Sequence, residues 1–150
     1  MSVHVVSPLA GRVVPLSSVP DSVFAEQMLG SGVAVEPVAG TVEVLAPVAG
    51  TVAKLHPHAF VVTTGDGAGV LVHLGIDTVE LGGSAFTLHV AEQDAVAAGT
   101  PVVTMDVDLV RAQGLPAVCP VVLMESEPDG TRDHAAGEVR PGDPLFSWDV

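Results

Sequence analysis

"APVAGTVAKL", residues 46–55, decides the fold, because the chain writes it three times. "SPLAGRVVPL" (7–16) and "EPVAGTVEVL" (36–45) share its form, x-P-[LV]-A-G-[RT]-V-x-x-L. A second pattern, V-x-x-G-x-P followed by two apolar residues, occurs in "VAAGTPVV" (96–103) and "VRPGDPLF" (139–146). Each unit reads as a short strand, a Pro/Gly turn and another short strand. Proline confines each start to a turn or sheet edge, and glycine supplies the backbone angles that tight turns need. Many short strands at this spacing predict an all-β chain, an antiparallel β-sandwich or barrel.

Two stretches depart from β. "PDSVFAEQML" (20–29) has Pro20 and Asp21 ahead of an apolar-periodic run, which predicts a short helical turn. "DVDLVRAQG" (106–114) offers Asp106 and Asp108 as caps and Gly114 as a stop. The closing "PLFSWDV" reads as a last strand with Trp148 near an edge. No Pro/Ser/Gly-rich linker interrupts the chain, so residues 1–150 are expected to form one domain, and the Met1 start suggests a free-standing one.

A hydrophobic content of 48% in 150 residues suits a folded core. Five Lys/Arg against 18 Asp/Glu give a net charge of -13. Such a surface repels phosphate backbones and anionic membranes, which argues against nucleic-acid binding, and it favours basic partners. Cys119 is the single cysteine, so no intrachain disulfide can form. The opening residues have no basic start and no long apolar run, and no apolar run would span a bilayer. A soluble, cytoplasmic protein without direct membrane insertion is expected.

Six histidines are present, and three crowd one region. "HPHAFVVTT" (56–64) and "VLVHLGI" (70–76) read as the arms of a hairpin joined by "GDGAG". A two-residue Gly65-Asp66 turn suits glycine at its first position. It would set His58 directly opposite His73, with Cβ atoms roughly 5 Å apart; a longer loop would slide them about one strand step. Either register brings two imidazoles together. Two adjacent imidazoles do not readily both carry protons. Such a pair suggests a phosphoryl acceptor, an acid/base pair or a metal site. His56 and His58 form H-x-H on one strand face, and with His73 make three nitrogen ligands, a hint of zinc. Alternatively, Pro57 is a kink and His56 faces water. His4, His89 and His134 read as surface or satisfied core residues. "GDGAG" has neither the serine of a nucleophile elbow nor the lysine of a phosphate-binding loop.

The run "GVLVHLGIDTVELGGSAF" (69–86) resembles the phosphorylation-site signature of the glucose-family IIA component of the bacterial phosphoenolpyruvate-dependent sugar phosphotransferase system. "SPLAGRVVPLSSVPDSVFAEQMLGSGVAVEP" (7–37), "APVAGTVAKL" and "HAF" (58–60) support the resemblance in order along nearly the whole chain. The resemblance implies an antiparallel β-sandwich or barrel. It implies that His73 accepts a phosphoryl group on a ring nitrogen and that His58 hydrogen-bonds the phosphoryl oxygens. The donor would be the basic histidine-containing phosphocarrier protein, and the recipient a cysteine on the IIB domain of a sugar permease. Phe24 and Val79 would line the docking surface, with Asp21 and Asp77 as acidic positions near the site. Partners that sense the phosphorylation state form a regulatory alternative. No cofactor is required, although His58 and His73 are the pair able to share a zinc with a partner. Better-known members approach the second histidine with a threonine two residues before it. His56 stands there in this chain, and membrane association through the amphipathic N-terminal tail of some members is not expected.

Two rival classes share parts of the pattern. A zinc-dependent hydrolase of similar β architecture would need a His-x-x-x-Asp pair, but His4 is followed four residues later by Pro8 and the other histidines also lack the aspartate. A biotinyl or lipoyl carrier would need its lysine in a tight hairpin, yet Lys54 falls in a strand, beside no methionine.

Overall fold

The computed structural model describes residues 2–150. The elements in chain order are β1 (Ser2–Val6), β2 (Gly11–Pro15), α1 (Ser22–Ala25), β3 (Gly30–Pro37), β4 (Thr41–Leu45), β5 (Gly50–His56), β6 (Ala59–Thr63) and β7 (Gly69–His73). There follow β8 (Phe86–Leu88), β9 (Ala95–Val96), β10 (Pro101–Asp106), α2 (Val107–Ala112), β11 (Cys119–Met124), β12 (Gly137–Val139) and β13 (Pro144–Asp149). Single 3-10 turns cover Leu16–Ser18 and Thr78–Leu81. All strand pairs are antiparallel. The sheets form a sandwich and, among the described residues, none closes into a barrel.

The eight-stranded sheet runs β12-β2-β3-β11-β7-β6-β5-β9. The sheets β4-β10-β8 and β1-β13 lie on one face of it. The main core fills the space between, with Val33, Val35, Phe60, Val62, Val70, Val72, Val121 and Leu123 facing Val44, Met105, Leu145 and Phe146. The alternate residues Ala34, Ala59, Leu71 and Val122 point to the opposite face and are buried as well. Two-sided burial explains why these strands read as unbroken apolar runs rather than alternating ones. The cover on that second face is the β2–β3 connection, which brings Leu16, Val19 and Phe24 across the sheet.

The repeats form a pseudo-twofold. Val6 N–H bonds to Pro47 O at 3.0 Å, and the equivalent Leu45 N–H bonds to Pro8 O at 2.7 Å. Ser7 exchanges bonds with Asp143 and Gly142 as Ala46 does with Thr100 and Gly99. β1–β13 and β4–β10 carry the same bulge, with Val6↔Pro144 then Val5↔Phe146 in one and Leu45↔Pro101 then Val44↔Val103 in the other. The strand order is accordingly symmetric about the β11–β7 pair. Of the three sequence copies, 7–16 and 46–55 occupy equivalent places, whereas 36–45 leads into β4, the counterpart of β1.

Asp106 caps α2 by accepting from Leu109 N–H at 3.0 Å, and Gly114 ends the segment at φ +76. Asp108 is not a cap. Its carboxylate accepts from Gly40 N–H at 2.9 Å and ties α2 to the turn before β4. Trp148 is buried on β13, opposite Val3.

Candidate functional site

The pseudo-twofold is broken in one respect that makes the site. β5 and β6 meet in a two-residue turn, Pro57-His58, whereas β2 and β3 are joined by the long connection containing α1. The β5–β6 turn lies at the His73 end of β7, whereas the β2–β3 connection enters β3 at Gly30, level with the opposite end of β7, and crosses the second face so that Phe24 reaches the His73 ring.

His73 is the last residue of β7, and its side chain shares the second face with Leu71. The residue directly across is Ala59. Of the two loop lengths that the sequence allows, the longer one forms, not the two-residue Gly65-Asp66 turn. Thr64 N–H bonds to Ala68 O at 2.8 Å and Gly67 N–H to Thr64 O at 3.0 Å, leaving a three-residue loop with Gly67 at φ +87. The extra residue shifts the register by one. Strand alternation would then send residue 58 to the other face. His58 escapes this because it lies in the turn, outside β6, so H-x-H is not one strand face. The small Ala59 side chain leaves room for the two rings, whose centroids are 5.3 Å apart in an edge-on arrangement, 76° between planes. His56 ends β5, faces solvent, and its ring lies 5.8 Å from that of His58 at 29°.

The segment after His73 is built to hold its ring. Nδ1 lies 2.6 Å from Gly75 O. A carbonyl only accepts, so Nδ1 carries the hydrogen and Nε2 keeps its lone pair. Gly75 sits at φ +82, and a Cβ there would come within 2.6 Å of Thr78 Cγ2. Ile76 N–H bonds to Pro116 O at 3.0 Å, Leu74 N–H to His58 O at 2.7 Å, and the buried Thr78 hydroxyl donates to Leu74 O at 2.7 Å. These bonds account for Leu74, Gly75, Ile76 and Thr78 of "LGIDT". The Gly75 carbonyl and Thr78 are the functional parts that residue-type reasoning missed. The glycine two positions after the histidine was their available signal.

Phe24 is buried at 5% exposure and packs on the His73 ring, 5.2 Å between centroids at 58°. It is a wall of the imidazole rather than an open surface. Val79 is 62% exposed on the 3-10 turn that follows. Asp21 caps α1, accepting from Val23 N–H at 2.9 Å. Asp77 is exposed in a left-handed conformation, φ 60.

Burial lowers the His73 proton affinity, while the Gly75 carbonyl and the charges of Asp21 and Asp77 work against that shift. His58 is lowered by burial, then by the charges of His73 and His56. Both rings are therefore neutral near pH 7. The result is a half-buried neutral imidazole with a fixed tautomer and a free Nε2, beside a second neutral imidazole. This arrangement suits nucleophilic attack. Among the described residues, no three His, Cys, Asp or Glu side chains are grouped to hold a metal ion. Cys119 is fully buried and its thiol is pushed up to about 12, which leaves no thiolate. A 650 Å³ cleft lined by Arg12, Glu36, Glu138 and Arg140 lies elsewhere, and none of its lining residues belongs to the imidazole site. The other histidines have local partners: His4 with Ser147, His89 with Thr104 and His134 with Thr131.

Fold and site together define an antiparallel β-sandwich with a paired-imidazole centre on one sheet face. The chain belongs to the family described as phosphoenolpyruvate-dependent sugar phosphotransferase system, EIIA 1, which matches residues 3–128. It is similar to the PTS system mannose-specific EIIBCA component of Corynebacterium glutamicum, 41% identical over 121 residues, covering 81% of this chain and 18% of that protein. It is also 38% identical to the PTS system glucose-specific EIIA component of Oceanobacillus iheyensis over 125 residues, 83% of this chain and 76% of that one. The chain thus spans less than a fifth of the EIIBCA relative. Among solved structures it is similar to glucose permease IIA from Mycoplasma capricolum, with a TM-score of 0.89 and 33% identity, covering 98% of this chain and 96% of that chain. No helix among the described residues is long and apolar enough to cross a membrane.

Proposed function

We propose that this chain is a cytoplasmic phosphocarrier in which His73 takes a phosphoryl group from the histidine-containing phosphocarrier protein and passes it to a cysteine of a sugar permease IIB domain. The observation that carries the reading is the Nδ1–Gly75 bond, which leaves Nε2 as the nucleophile. In the first transfer the Nε2 lone pair attacks the donor's phosphorus. A new N–P bond forms as the donor's N–P bond breaks, and the donor imidazole leaves with the electron pair. In the second, a cysteine thiolate attacks the same phosphorus and Nε2 leaves with the N–P electrons.

Phosphoryl transfer needs in-line placement and charge neutralisation more than covalent help. Gly75 and Phe24 fix the ring. His58, edge-on to His73, donates an N–H to the phosphoryl oxygens. Cations come from the donor, because the -13 chain complements a basic partner. Asp21 and Asp77 favour the positive charge that forms on the His73 ring as the N–P bond is made and meet basic groups of the partner, while apolar neighbours such as Val23 and Val79 exclude water on docking. The EIIBCA name of the corynebacterial relative joins an A component to B and C, which supports a IIB recipient.

Incubation with phosphoenolpyruvate, enzyme I and the phosphocarrier protein tests this. Wild type is expected to gain one acid-labile, base-stable phosphate. His73→Ala should gain none, and His58→Ala should accept phosphate but transfer it poorly. Label persisting in His73→Ala would sink the assignment.

A further inference from the structure

The phosphocarrier reading assigns no task to His56. Of six imidazoles, four are held by hydrogen bonds: His4 to Ser147, His73 to Gly75, His89 to Thr104 and His134 to Thr131. Among the described residues, the two rings without such a bond are His56 and His58, and these two lie against each other. Their planes differ by only 29° at 5.8 Å, so faces meet, not an N–H and a lone pair. This is the offset-stacked range for aromatic pairs. On its other side, His58 meets His73 edge-on at 5.3 Å. The orientation of His58 is therefore set by packing, and His56 supplies the face behind it.

The backbone fixes both members of the pair. His56 and Ala59 are the paired residues that close the two-residue turn. Pro57 restricts its own φ at the first turn position. The 78–84 segment backs the turn, and a Cβ at Gly83 would lie 3.5 Å from Pro57 Cγ. The His58 carbonyl is held by Leu74 N–H at 2.7 Å. With the main chain tied on both sides, the remaining freedom of His58 is rotation of its side chain, and that is what a stacked neighbour limits.

We infer that His56 is a positioning residue for phosphoryl transfer: its imidazole stacks behind His58 and keeps that ring edge-on to His73. The inference rests on the phosphocarrier reading above. It acts through shape, so an aromatic ring of any polarity should serve.

The test uses the full chain with phosphoenolpyruvate, enzyme I and the phosphocarrier protein, followed by transfer to a IIB domain. His56 is exposed, so His56→Ala should keep the wild-type melting temperature. Its turnover should fall about 2- to 10-fold, the range expected from losing one stacked aromatic contact, with KM for the donor unchanged. His56→Phe should restore most of the rate, and His56→Asn should behave as His56→Ala. Wild-type turnover in His56→Ala overturns the inference while leaving the carrier reading intact. So does recovery by Asn without recovery by Phe, which would make hydrogen bonding the cause. Absence of label on wild type removes the carrier reading and the inference together.

Discussion

His73 Nδ1 and the carbonyl of Gly75, two residues further on, lie 2.6 Å apart, and this contact fixes which nitrogen of the ring is free. Nitrogen-15 NMR of the imidazoles should find His73 as the Nδ1–H tautomer at pH 7.5. An Nε2–H tautomer would contradict the arrangement. Gly75→Ala should disturb the same bond, because φ +82 disfavours a side chain and the Cβ would crowd Thr78 and Pro116 O. A cost of about 1–3 kcal/mol is expected in urea unfolding, together with loss of the single tautomer.

Phe24 covers the His73 ring and belongs to the second-face cluster with Leu16, Val19, Leu71 and Val122. Phe24→Ala should cost about 3–5 kcal/mol, as for other buried Phe truncations. It also admits water to the ring. The His73 pKa, lowered chiefly by burial, should rise back towards 6.5. An NMR titration with no upward movement would show that Phe24 does not shield the ring.

The titration of His58 and His73 makes stability fall in acid. Both are lowered from 6.5 in the folded chain, so the unfolded chain binds more protons as pH drops through that value. Their contribution is fully present above about pH 6.5 and is lost as pH falls through the lowered folded values. Melting temperatures between pH 7.5 and 5 should show a decline that is smaller in a His58→Gln/His73→Gln double variant. Asp77→Asn removes a charge that raises His73, so its pKa should move further down. An upward move would mean that burial is not opposed by Asp77.

Gly11 and Gly50 occupy equivalent places in the two halves. A Cβ at Gly11 would lie 2.2 Å from Glu36 O, and one at Gly50 would lie 2.1 Å from Thr63 O. Gly11→Ala and Gly50→Ala should destabilise by similar amounts, about 1–3 kcal/mol each, the usual cost of overpacking. Denaturant unfolding of the two variants checks this. A large difference between them would show that the halves are not energetically alike.

Much of this was readable in the chain. The repeated Pro/Gly units predicted short antiparallel strands. Asp21 and Asp106 predicted the two helical caps, because a carboxylate ahead of an apolar-periodic run has free N–H groups to accept. His58 and His73 were expected as neighbours in any hairpin register. The loop length stays open in the sequence, since Gly65 and Gly67 both permit a turn and local preference cannot choose between two and three residues. Asp108 had the composition of a cap, but its partner Gly40 is far away in sequence.

The sequence by itself determined the strand class, the duplication, and which imidazoles could meet, because periodicity, turn chemistry and residue type are local properties. Only the tertiary structure decided that the β2–β3 connection crosses the second sheet face and places Phe24 on His73. It also decided that His58 projects from a turn rather than a strand, and that Gly75 O selects the His73 tautomer. The physical reason is that both faces of the central sheet are apolar. Each must be buried, and which segment buries the second face is settled by packing across the whole chain, not by the residues of the site.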